Sequence, residues 1–242
     1  MRFIESIASV LLIGIFVFTS CISCSTVMNR SVLDKTSQEL SVKNYLSIAK
    51  ILVISTKNKP VSIGTAFAIN DEYLATAGHN CEQLTLGIKA GQTKPVFDVI
   101  RSDAKGRSYK QTVAEIVKIH PKHDLCLLRA KNHHLVPLKI LEDYDLLQVE
   151  DLVSVIGAPS GYFPVKRYGH IISLYESDFS DEEMLFLSID IQGGNSGGPV
   201  LWNGYVIGVI VMLPYTLHNS GLAVRGDILK EFIQQQINTR SK

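Results

Sequence analysis

Short apolar runs separated by turn residues recur along most of the chain. Such runs are AKILVIST, GTAFAIN, YLATAGH, QTVAEIVKIH, DLCLLRA, DLVSVIGAP, HIISLYE, MLFLSID, GPVLW and YVIGVIVML. Many short strands between Gly, Asn, Asp and Pro residues are typical of an all-β sandwich or barrel. The segments NDEY and WNGY lie where tight hairpin turns are expected, and the second contains an Asn-Gly pair. The pattern therefore predicts an all-β body.

A polar segment, LEDYDLLQVED at residues 141–151, divides this body into halves of similar length. Residues 45–140 precede the segment, and residues 152–242 follow it. Each half contains about six of the expected strands. We therefore expect two six-stranded antiparallel β-barrels, with residues 141–151 as the linker between them.

The end of the chain follows a helical pattern. In RGDILKEFIQQQI, Asp227 is suited to cap a helix, and Ile228, Phe232 and Ile233 fall on one face. The second barrel is therefore expected to end in a C-terminal helix.

The N-terminus carries a different signal. An apolar run from Ile7 to Phe18 follows a weakly charged start, and its length is short for a membrane span but typical of a signal peptide. Cys21 and Cys24 each follow a serine, which resembles a bacterial lipoprotein cleavage site, with Cys21 the better candidate for lipidation. Residues 1–24 are thus predicted to be a secretion or lipoprotein leader, or a membrane anchor.

Residues 25–44 are rich in Ser, Thr, Lys and Gln, and they predict a polar tether between the leader and the folded body. Of the whole chain, 46% of residues are hydrophobic and 19% are charged, which suits a globular protein. The formal net charge of +1 gives no electrostatic reason to expect a nucleic-acid partner.

The segment GGNSGGPV places Ser196 between two pairs of glycines. Glycines on both sides permit positive φ angles and a close approach of substrate to the backbone. In such a loop the N–H groups of Gly194 and Ser196 can converge on one point, as an oxyanion hole requires. A glycine-rich hairpin turn without catalytic function is the alternative interpretation of this segment taken alone.

Two other segments supply candidate partners for a serine nucleophile. LATAGHN places His79 just after an apolar run, among small residues that let a second segment pack closely. HPKHDLCLL places Asp124 where a strand begins, a position from which a carboxylate can bind an imidazole N–H. Taken singly, a structural histidine and a turn aspartate are the more common interpretations.

In the order His79, Asp124, Ser196, the three segments resemble those of the chymotrypsin-like (trypsin-like) serine peptidases. TAGH resembles the family's Thr-Ala-Ala-His segment, HDLCLL its aspartate strand, and GNSGGPV its nucleophile loop. VIGAPSGYFPVKRYGHIISL and SGLAVRGDIL are similar to segments of the bacterial HtrA/Deg-type branch. The resemblance implies the two-barrel fold and peptide-bond hydrolysis through an acyl-enzyme, on protein or peptide substrates and without metal or cofactor.

Three features depart from parts of this family. Asn195 stands where digestive members have an aspartate that pairs with a new N-terminal ammonium, so activation by clipping is not expected. Only 46 residues (242 − 196) follow Ser196, so we expect no PDZ domain of the kind that the HtrA-type branch usually adds. Asp190 stands where trypsin has an aspartate at the floor of its specificity (S1) pocket, which would favour Lys or Arg in substrates. The alternative is that Asp190 points elsewhere and that small apolar side chains are preferred, as in the HtrA-type branch.

Cys81 and Cys126 each lie two residues beyond a candidate catalytic residue. We expect two small buried hydrophobic residues here, with a disulfide as the alternative.

Zinc binding by His120, His123, His133 and His134 is not expected, because no cysteine or carboxylate pair at ligand spacing completes the set.

The predicted function is that of a serine endopeptidase in the cell envelope or outside the cell. The alternative is a catalytically silent or latent lipoprotein of the same fold that acts as a binding or chaperone module. A lipase-type site is set aside, because its serine lies on a strand-to-helix turn, whereas the surroundings of Ser196 are rich in β-strands.

Overall fold

The computed structural model describes residues 44–103, 105–176, 184–212 and 219–240. The predicted leader at residues 1–24, with Cys21 and Cys24, lies outside these ranges, as does all of the predicted tether except residue 44. Across the described ranges, no helix combines the length and the hydrophobicity that a membrane crossing requires.

The first half of the described chain forms a closed six-stranded antiparallel barrel. Its strands follow the order β1-β2-β3-β6-β5-β4 around the barrel. Their bounds are β1 (Ile48–Ser55), β2 (Pro60–Ala68), β3 (Tyr73–Thr76), β4 (Thr93–Ser102), β5 (Ser108–Ile119) and β6 (Cys126–Arg129).

The second half forms another closed antiparallel barrel of six strands, in the order β10-β11-β12-β9-β8-β7. Their bounds are β7 (Leu152–Gly157), β8 (Val165–Glu176), β9 (Met184–Ser188), β10 (Pro199–Trp202), β11 (Tyr205–Met212) and β12 (Gly221–Arg225). The predicted all-β fold with two six-stranded barrels is confirmed.

Within the described ranges, two α-helices accompany the barrels: α1 (Gly78–Lys89) and α2 (Gly226–Arg240). Helix α2 confirms the predicted C-terminal helix, and Phe232 on it is buried in the core while Ile228 and Ile233 pack against that core. Helix α1 was not predicted. The apolar pattern predicts one strand over YLATAGH, but β3 ends at Thr76 and a helix begins at Gly78, before His79.

The hairpin predicted at WNGY is present between β10 and β11. Asn203 and Gly204 have φ angles of 48° and 82°, and positive φ at both central residues is the signature of a type I′ turn. At NDEY, the side chain of Asn70 accepts hydrogen bonds from the backbone N–H groups of Glu72 and Tyr73, which closes the turn between β2 and β3.

Each barrel has its own apolar core, and a third cluster lies between them. Members of the third cluster come from both barrels and from α2, for example Phe67, Ile156 and Phe232. Because this shared cluster packs the barrels together, the loops at their interface have fixed relative positions. The candidate catalytic residues lie on those loops and on α1.

Candidate active site

His79 and Asp124 are in direct contact beside the first barrel. Nδ1 of His79 lies 2.7 Å from Oδ2 of Asp124, and Oδ1 of the same carboxylate accepts a hydrogen bond of 2.7 Å from the His79 backbone N–H. A carboxylate accepts hydrogen bonds and does not donate them, so Nδ1 carries the proton and Nε2 is left as an acceptor. The contact therefore selects the tautomer that a general base requires.

The Asp124 carboxylate also completes the start of α1. Ala77, the residue that precedes the helix, provides no side-chain cap, and the His79 N–H bonds to Asp124 instead. A Cβ atom on Gly78 would lie 2.8 Å from Oδ1 of Asp124. The absence of a side chain at Gly78 is therefore what lets the carboxylate reach the end of the helix.

Ser196 lies in the loop between β9 and β10, and that loop is fastened to the first barrel. The Ser196 carbonyl accepts hydrogen bonds from the Thr65 N–H at 2.9 Å and from Nδ2 of Asn80 at 3.1 Å. Asn80 follows His79 on α1. The structure thus brings the loop of Ser196 to the start of the helix that carries His79.

Just before Ser196 the chain makes a tight turn, which we call the glycine turn, residues 192–195. The Asn195 N–H bonds to the Gln192 carbonyl at 3.0 Å, and Gly194 has a φ of 99°. Positive φ at the third residue is the mark of a type II turn, which favours glycine at that position. The glycine turn therefore depends on Gly194 for its conformation.

The orientation of the peptide between Gly193 and Gly194 is fixed from outside the turn. The Ser160 N–H donates to the Gly193 carbonyl at 2.7 Å. Since the C=O and N–H of a trans peptide point in opposite directions, the Gly194 N–H points away from Ser160. Within the described part of the chain, the N–H groups of Gly194 and Ser196 donate to no protein acceptor, so both are free to bind a ligand oxygen.

Asn195 is buried against the second barrel, with only 2% of its surface exposed. A Cβ atom on Gly157 would lie 2.6 Å from Oδ1 of Asn195. As far as the described residues show, Nδ2 of Asn195 has no hydrogen-bond partner. The side chain that precedes the serine is thus held by packing.

Cys81 and Cys126 form a disulfide. The expectation of two separate buried hydrophobic residues is therefore wrong, and the alternative is correct. Cys81 lies on α1 two residues after His79, and Cys126 is the first residue of β6 two residues after Asp124. The contact between His79 and Asp124 brings the two segments close enough for the bridge to form.

Asp190 lies at the surface beside the glycine turn. Its side chain is 41% exposed and lies 3.8 Å from the guanidinium group of Arg167, and it accepts a hydrogen bond from Nε2 of Gln192. The next residue, Ile191, is buried, and a Cβ atom on Gly221 would lie 2.6 Å from its Cγ1. Asp190 thus already has a basic partner within the chain, and it is Ile191 that points inward.

The histidines considered above as zinc ligands make contacts of other kinds. His133 is buried, its Nε2 lies 3.0 Å from the Asn70 carbonyl, and its Nδ1 accepts from the Leu135 N–H. The rings of His120 and His123 are in tilted contact, with centroids 4.7 Å apart. Over the residues that the structure describes, no group of three or more His, Cys, Asp or Glu has the arrangement to hold a metal ion.

A pocket of about 430 Å³ adjoins the glycine turn. It is walled on the first-barrel side by Val61 and Ile63 of β2, and on the second-barrel side by Ser160, Gly161, Gly193 and Gly194. A larger pocket, of about 760 Å³, contains none of the predicted catalytic residues. It lies between the linker and α2, where Leu138, Ile140, Leu146, Trp202, Tyr205 and Ile233 contribute to its lining.

Thr65 and Ser160 hold the glycine turn, and the sequence did not single out either of them. The hydroxyl of Thr65 donates to the Gly194 carbonyl at 2.7 Å, in addition to the backbone bond from Thr65 to Ser196. Ser160 has a φ of 50°, which is uncommon for a residue other than glycine. The position of Ser160 between Pro159 and Gly161 in the segment GAPSG could have indicated a special backbone conformation, whereas nothing in the sequence around Thr65 indicated its role.

Comparison with known proteins supports the trypsin-like peptidase family for most of the folded body. A model of the trypsin-like peptidase domain matches residues 64–209. Among curated proteins, the magnetosome formation protease MamE of Paramagnetospirillum magneticum is 29% identical over 73% of this chain and 24% of its own length. Serine protease HTRA1 of Xenopus laevis is 23% identical over 81% of this chain and 41% of its own length. The chain thus spans less than half of the length of these relatives.

Solved structures of HtrA and Deg proteins share the fold. The crystal structure of Deg5 superimposes with a TM-score of 0.66 at 24% identity, covering 82% of this chain and 92% of that one. An HtrA-type protease AlgW variant with a tripeptide gives 0.62 at 22% identity, covering 82% of this chain and 62% of that one. Together with the family match over residues 64–209, this fold identifies the chain as a member of the trypsin-like peptidase domain family.

Proposed function

We propose that this chain is a serine endopeptidase that hydrolyses peptide bonds through an acyl-enzyme intermediate. The observation that carries the proposal is the contact between His79 Nδ1 and Asp124. His79 lies on α1, and the residue after it, Asn80, donates a hydrogen bond to the Ser196 carbonyl. In this arrangement Ser196 is the nucleophile, His79 the general base and Asp124 the residue that orients the imidazole.

The reaction proceeds in two halves. In the first, Nε2 of His79 takes the proton of the Ser196 hydroxyl while Oγ attacks the scissile carbonyl carbon, and His79 then gives that proton to the leaving amine. In the second, a water molecule attacks the acyl-enzyme, His79 accepts a proton from the water and returns one to Ser196 Oγ, and the carboxylic acid product leaves. Asp124 stabilises the imidazolium in both halves, and no metal or cofactor takes part.

The negative charge that develops on the scissile carbonyl oxygen requires hydrogen-bond donors. The N–H groups of Gly194 and Ser196 are proposed as these donors, since the orientation of the Gly193–Gly194 peptide leaves the Gly194 N–H without an acceptor among the residues that the structure describes. One donor in such an oxyanion hole contributes about 3–4 kcal/mol to transition-state stabilisation.

The surroundings of Asp190 favour a preference for apolar over basic side chains at the residue before the scissile bond. Asp190 is paired with Arg167 at the surface, whereas the buried Ile191 packs towards Gly221. Ile191 itself offers no acidic group to a Lys or Arg side chain, so burial of that charge against Ile191 would carry a desolvation cost. We therefore propose Ile191, and not Asp190, as the contact at the base of the specificity pocket.

We further propose that the protein acts on protein or peptide substrates outside the cytoplasm, in the cell envelope. This part of the proposal rests on the leader pattern at residues 1–24 and on Cys21 as a candidate lipidation site. The disulfide between Cys81 and Cys126 agrees with it, because disulfides persist in oxidising compartments.

A fluorophosphonate probe tests the proposed nucleophile, since it reacts with serines that a nearby base activates. The full-length protein is incubated with the probe, and the adduct is located by mass spectrometry. We expect labelling at Ser196 that is lost in Ser196→Ala and His79→Ala and retained in His170→Gln, which changes an exposed histidine on β8. A folded wild-type protein without any adduct would contradict the proposal and would favour the silent binding or chaperone module.

A further inference from the structure

The hydroxyl of Thr65 is placed between two segments of the second barrel, although Thr65 belongs to the first. Thr65 lies on β2 and is fully buried. Its Oγ1 donates to the Gly194 carbonyl at 2.7 Å and accepts from the Ala158 N–H at 3.1 Å. A hydroxyl has one proton to donate, and here the Gly194 carbonyl receives it.

The backbone of Thr65 is engaged as well. Its N–H donates to the Ser196 carbonyl at 2.9 Å, and its carbonyl accepts from the Thr76 hydroxyl at 2.7 Å. A Cβ atom on Gly197 would lie 2.2 Å from the Thr65 carbonyl oxygen. One residue of β2 therefore contacts the loop of the proposed nucleophile at positions 194, 196 and 197.

The Ala158 contact links Thr65 to the second support of the glycine turn. Ala158 lies two residues before Ser160, whose N–H holds the Gly193 carbonyl at 2.7 Å. The first barrel also binds this segment through Lys50, whose Nζ donates to the Gly161 carbonyl at 3.2 Å. Both carbonyls of the glycine pair are thus fixed, that of Gly194 directly by Thr65 and that of Gly193 through a segment that Thr65 binds.

We propose that Thr65 is a positioning residue that keeps the glycine turn in the orientation required for oxyanion binding. A turn with two central glycines can exchange between type II and type I by rotating its central peptide, because glycine adopts the φ angles of both. That rotation would replace the Gly194 N–H by the Gly193 carbonyl at the proposed oxyanion site. The Thr65 hydroxyl opposes it by restraining the Gly194 carbonyl and the segment that holds the Gly193 carbonyl.

The inference rests on the proposed function and predicts a specific kinetic effect. Removal of the Thr65 hydroxyl leaves the binding surface for the substrate in place but lets the Gly194 N–H leave its position. The rate of the chemical step therefore falls, whereas ground-state binding changes little. Loss of one oxyanion donor costs about 10²–10³-fold in rate, so loss of its positioning is expected to cost about 10- to 100-fold.

Two substitutions make a matched pair, because Thr65→Ser and Thr65→Ala both remove the γ-methyl group and differ only in the hydroxyl. With the full-length protein, saturable labelling by a fluorophosphonate probe gives the maximal labelling rate and the apparent affinity separately. We expect Thr65→Ser to stay within a fewfold of wild type in labelling rate and Thr65→Ala to fall about 10- to 100-fold, with probe affinity within about twofold. Inhibition by phenylboronic acid, which forms a tetrahedral adduct with an activated serine, should weaken in parallel.

Thr85→Val is the control for the loss of a threonine hydroxyl away from the glycine turn. Thr85 lies on α1, and its hydroxyl donates to the Cys81 carbonyl, away from the glycine turn. We expect this variant to label at the wild-type rate, whatever its melting temperature. Equal labelling rates for Thr65→Ala and Thr65→Ser would overturn the inference, and so would a loss confined to probe affinity. If the wild-type protein is not labelled at Ser196, the proposed function itself fails, and the two failures are thereby distinguished.

Discussion

Cys81 and Cys126 join the helix that carries His79 to the strand that follows Asp124. Each cysteine lies two residues beyond one member of the proposed His–Asp pair, and the bridge closes a span of 45 residues that includes β4 and β5. Both cysteines are fully buried. The bridge therefore reinforces the relative position of α1 and β6, and with it the contact between imidazole and carboxylate.

Removal of this disulfide is expected to lower stability substantially. Closure of a 45-residue span restricts the unfolded chain and corresponds to about 4 kcal/mol in the chain-entropy model. The double variant Cys81→Ala/Cys126→Ala should therefore unfold at a clearly lower urea concentration than wild type, as measured by circular dichroism. Reductant should shift the wild-type midpoint in the same direction and leave that of the double variant unchanged. A wild-type midpoint that does not move after mass spectrometry shows full reduction would contradict this prediction.

The Asp124→Asn variant should disturb the orientation and tautomer of the His79 imidazole while the fold stays intact. Both carboxylate oxygens of Asp124 bind His79, one through Nδ1 and one through the backbone N–H. An amide retains only one acceptor oxygen, so His79 no longer has both bonds and can adopt the tautomer with its proton on Nε2. In a Ser-His-Asp triad this loss costs about 10⁴-fold in the chemical step.

The measurement is the rate of fluorophosphonate labelling at Ser196, with the melting temperature of the same sample as a check on folding. We expect a labelling rate reduced by several orders of magnitude and a nearly native melting temperature, since Asn caps a helix about as well as Asp. Asp190→Asn, at the surface, serves as the matched control and should label normally. Wild-type labelling in Asp124→Asn would exclude the proposed role of this carboxylate.

Features that depend on nearby residues were predictable from the sequence. The Asn-Gly turn between β10 and β11 follows from the φ preferences of those two residues. The alternation of apolar runs and turn residues likewise indicated an all-β body, its division by the polar segment at residues 141–151 indicated two barrels, and the segment around Ser196 suggested a loop suited to catalysis.

Features that depend on tertiary contacts were missed. Helix α1 contains two glycines, Gly78 and Gly87, and has no side-chain cap at Ala77. Its first turn is completed by Asp124 from another loop, which accepts a hydrogen bond from the His79 N–H. Local propensity therefore gave only a weak helical signal. The role of Thr65 is invisible for the same reason, because its hydroxyl partners lie 93 and 129 positions away along the chain.

The pocket beside the glycine turn should select aliphatic residues on the leaving-group side of the scissile bond. Val61 and Ile63 form one wall of this pocket, and Ser62 from the same strand is hydrogen-bonded to Gln83 on α1. Because His79 at the start of α1 protonates the leaving amine in the proposed mechanism, the residues after the scissile bond pass this wall. An aliphatic side chain there buries apolar surface against Val61 and Ile63.

Cleavage of a peptide library by the full-length protein, read by mass spectrometry, measures this preference. We expect enrichment of Val, Ile or Leu at one of the first two positions after the cleaved bond. Ile63→Glu should reduce cleavage of those peptides about tenfold and favour Lys or Arg at the same position. Leu86→Glu, at an exposed site on α1, introduces the same charge outside the pocket and should leave the preference unchanged. An unaltered profile in Ile63→Glu would exclude this wall as a specificity contact.

His133 should make the first barrel sensitive to mild acid. The side chain is buried, and burial is the largest effect that lowers the pKa of His133 below its ordinary value of 6.5; the Asn70 carbonyl and Asp71 oppose this effect, while His134 and Arg101 add to it. Since Nδ1 accepts a hydrogen bond from the Leu135 N–H, protonation at this nitrogen breaks that bond. The unfolded chain thus binds a proton at higher pH than the folded chain. The stabilising contribution of neutral His133 is therefore complete above about pH 6.5 and is lost as the pH falls towards the lowered pKa.

Urea unfolding of the full-length protein between pH 7.5 and 5 measures this contribution through the slope of the unfolding free energy against pH. We expect the wild-type free energy to decline below about pH 6.5, and the decline to be smaller in His133→Gln, which cannot titrate at this position. His134→Asn is the matched control, because His134 is exposed, has a φ of 52° that Asn tolerates, and is adjacent in sequence. This control should keep most of the wild-type slope. If His133→Gln and wild type decline in parallel, the acid sensitivity arises from other groups, and His133 titrates alike in the folded and unfolded chain.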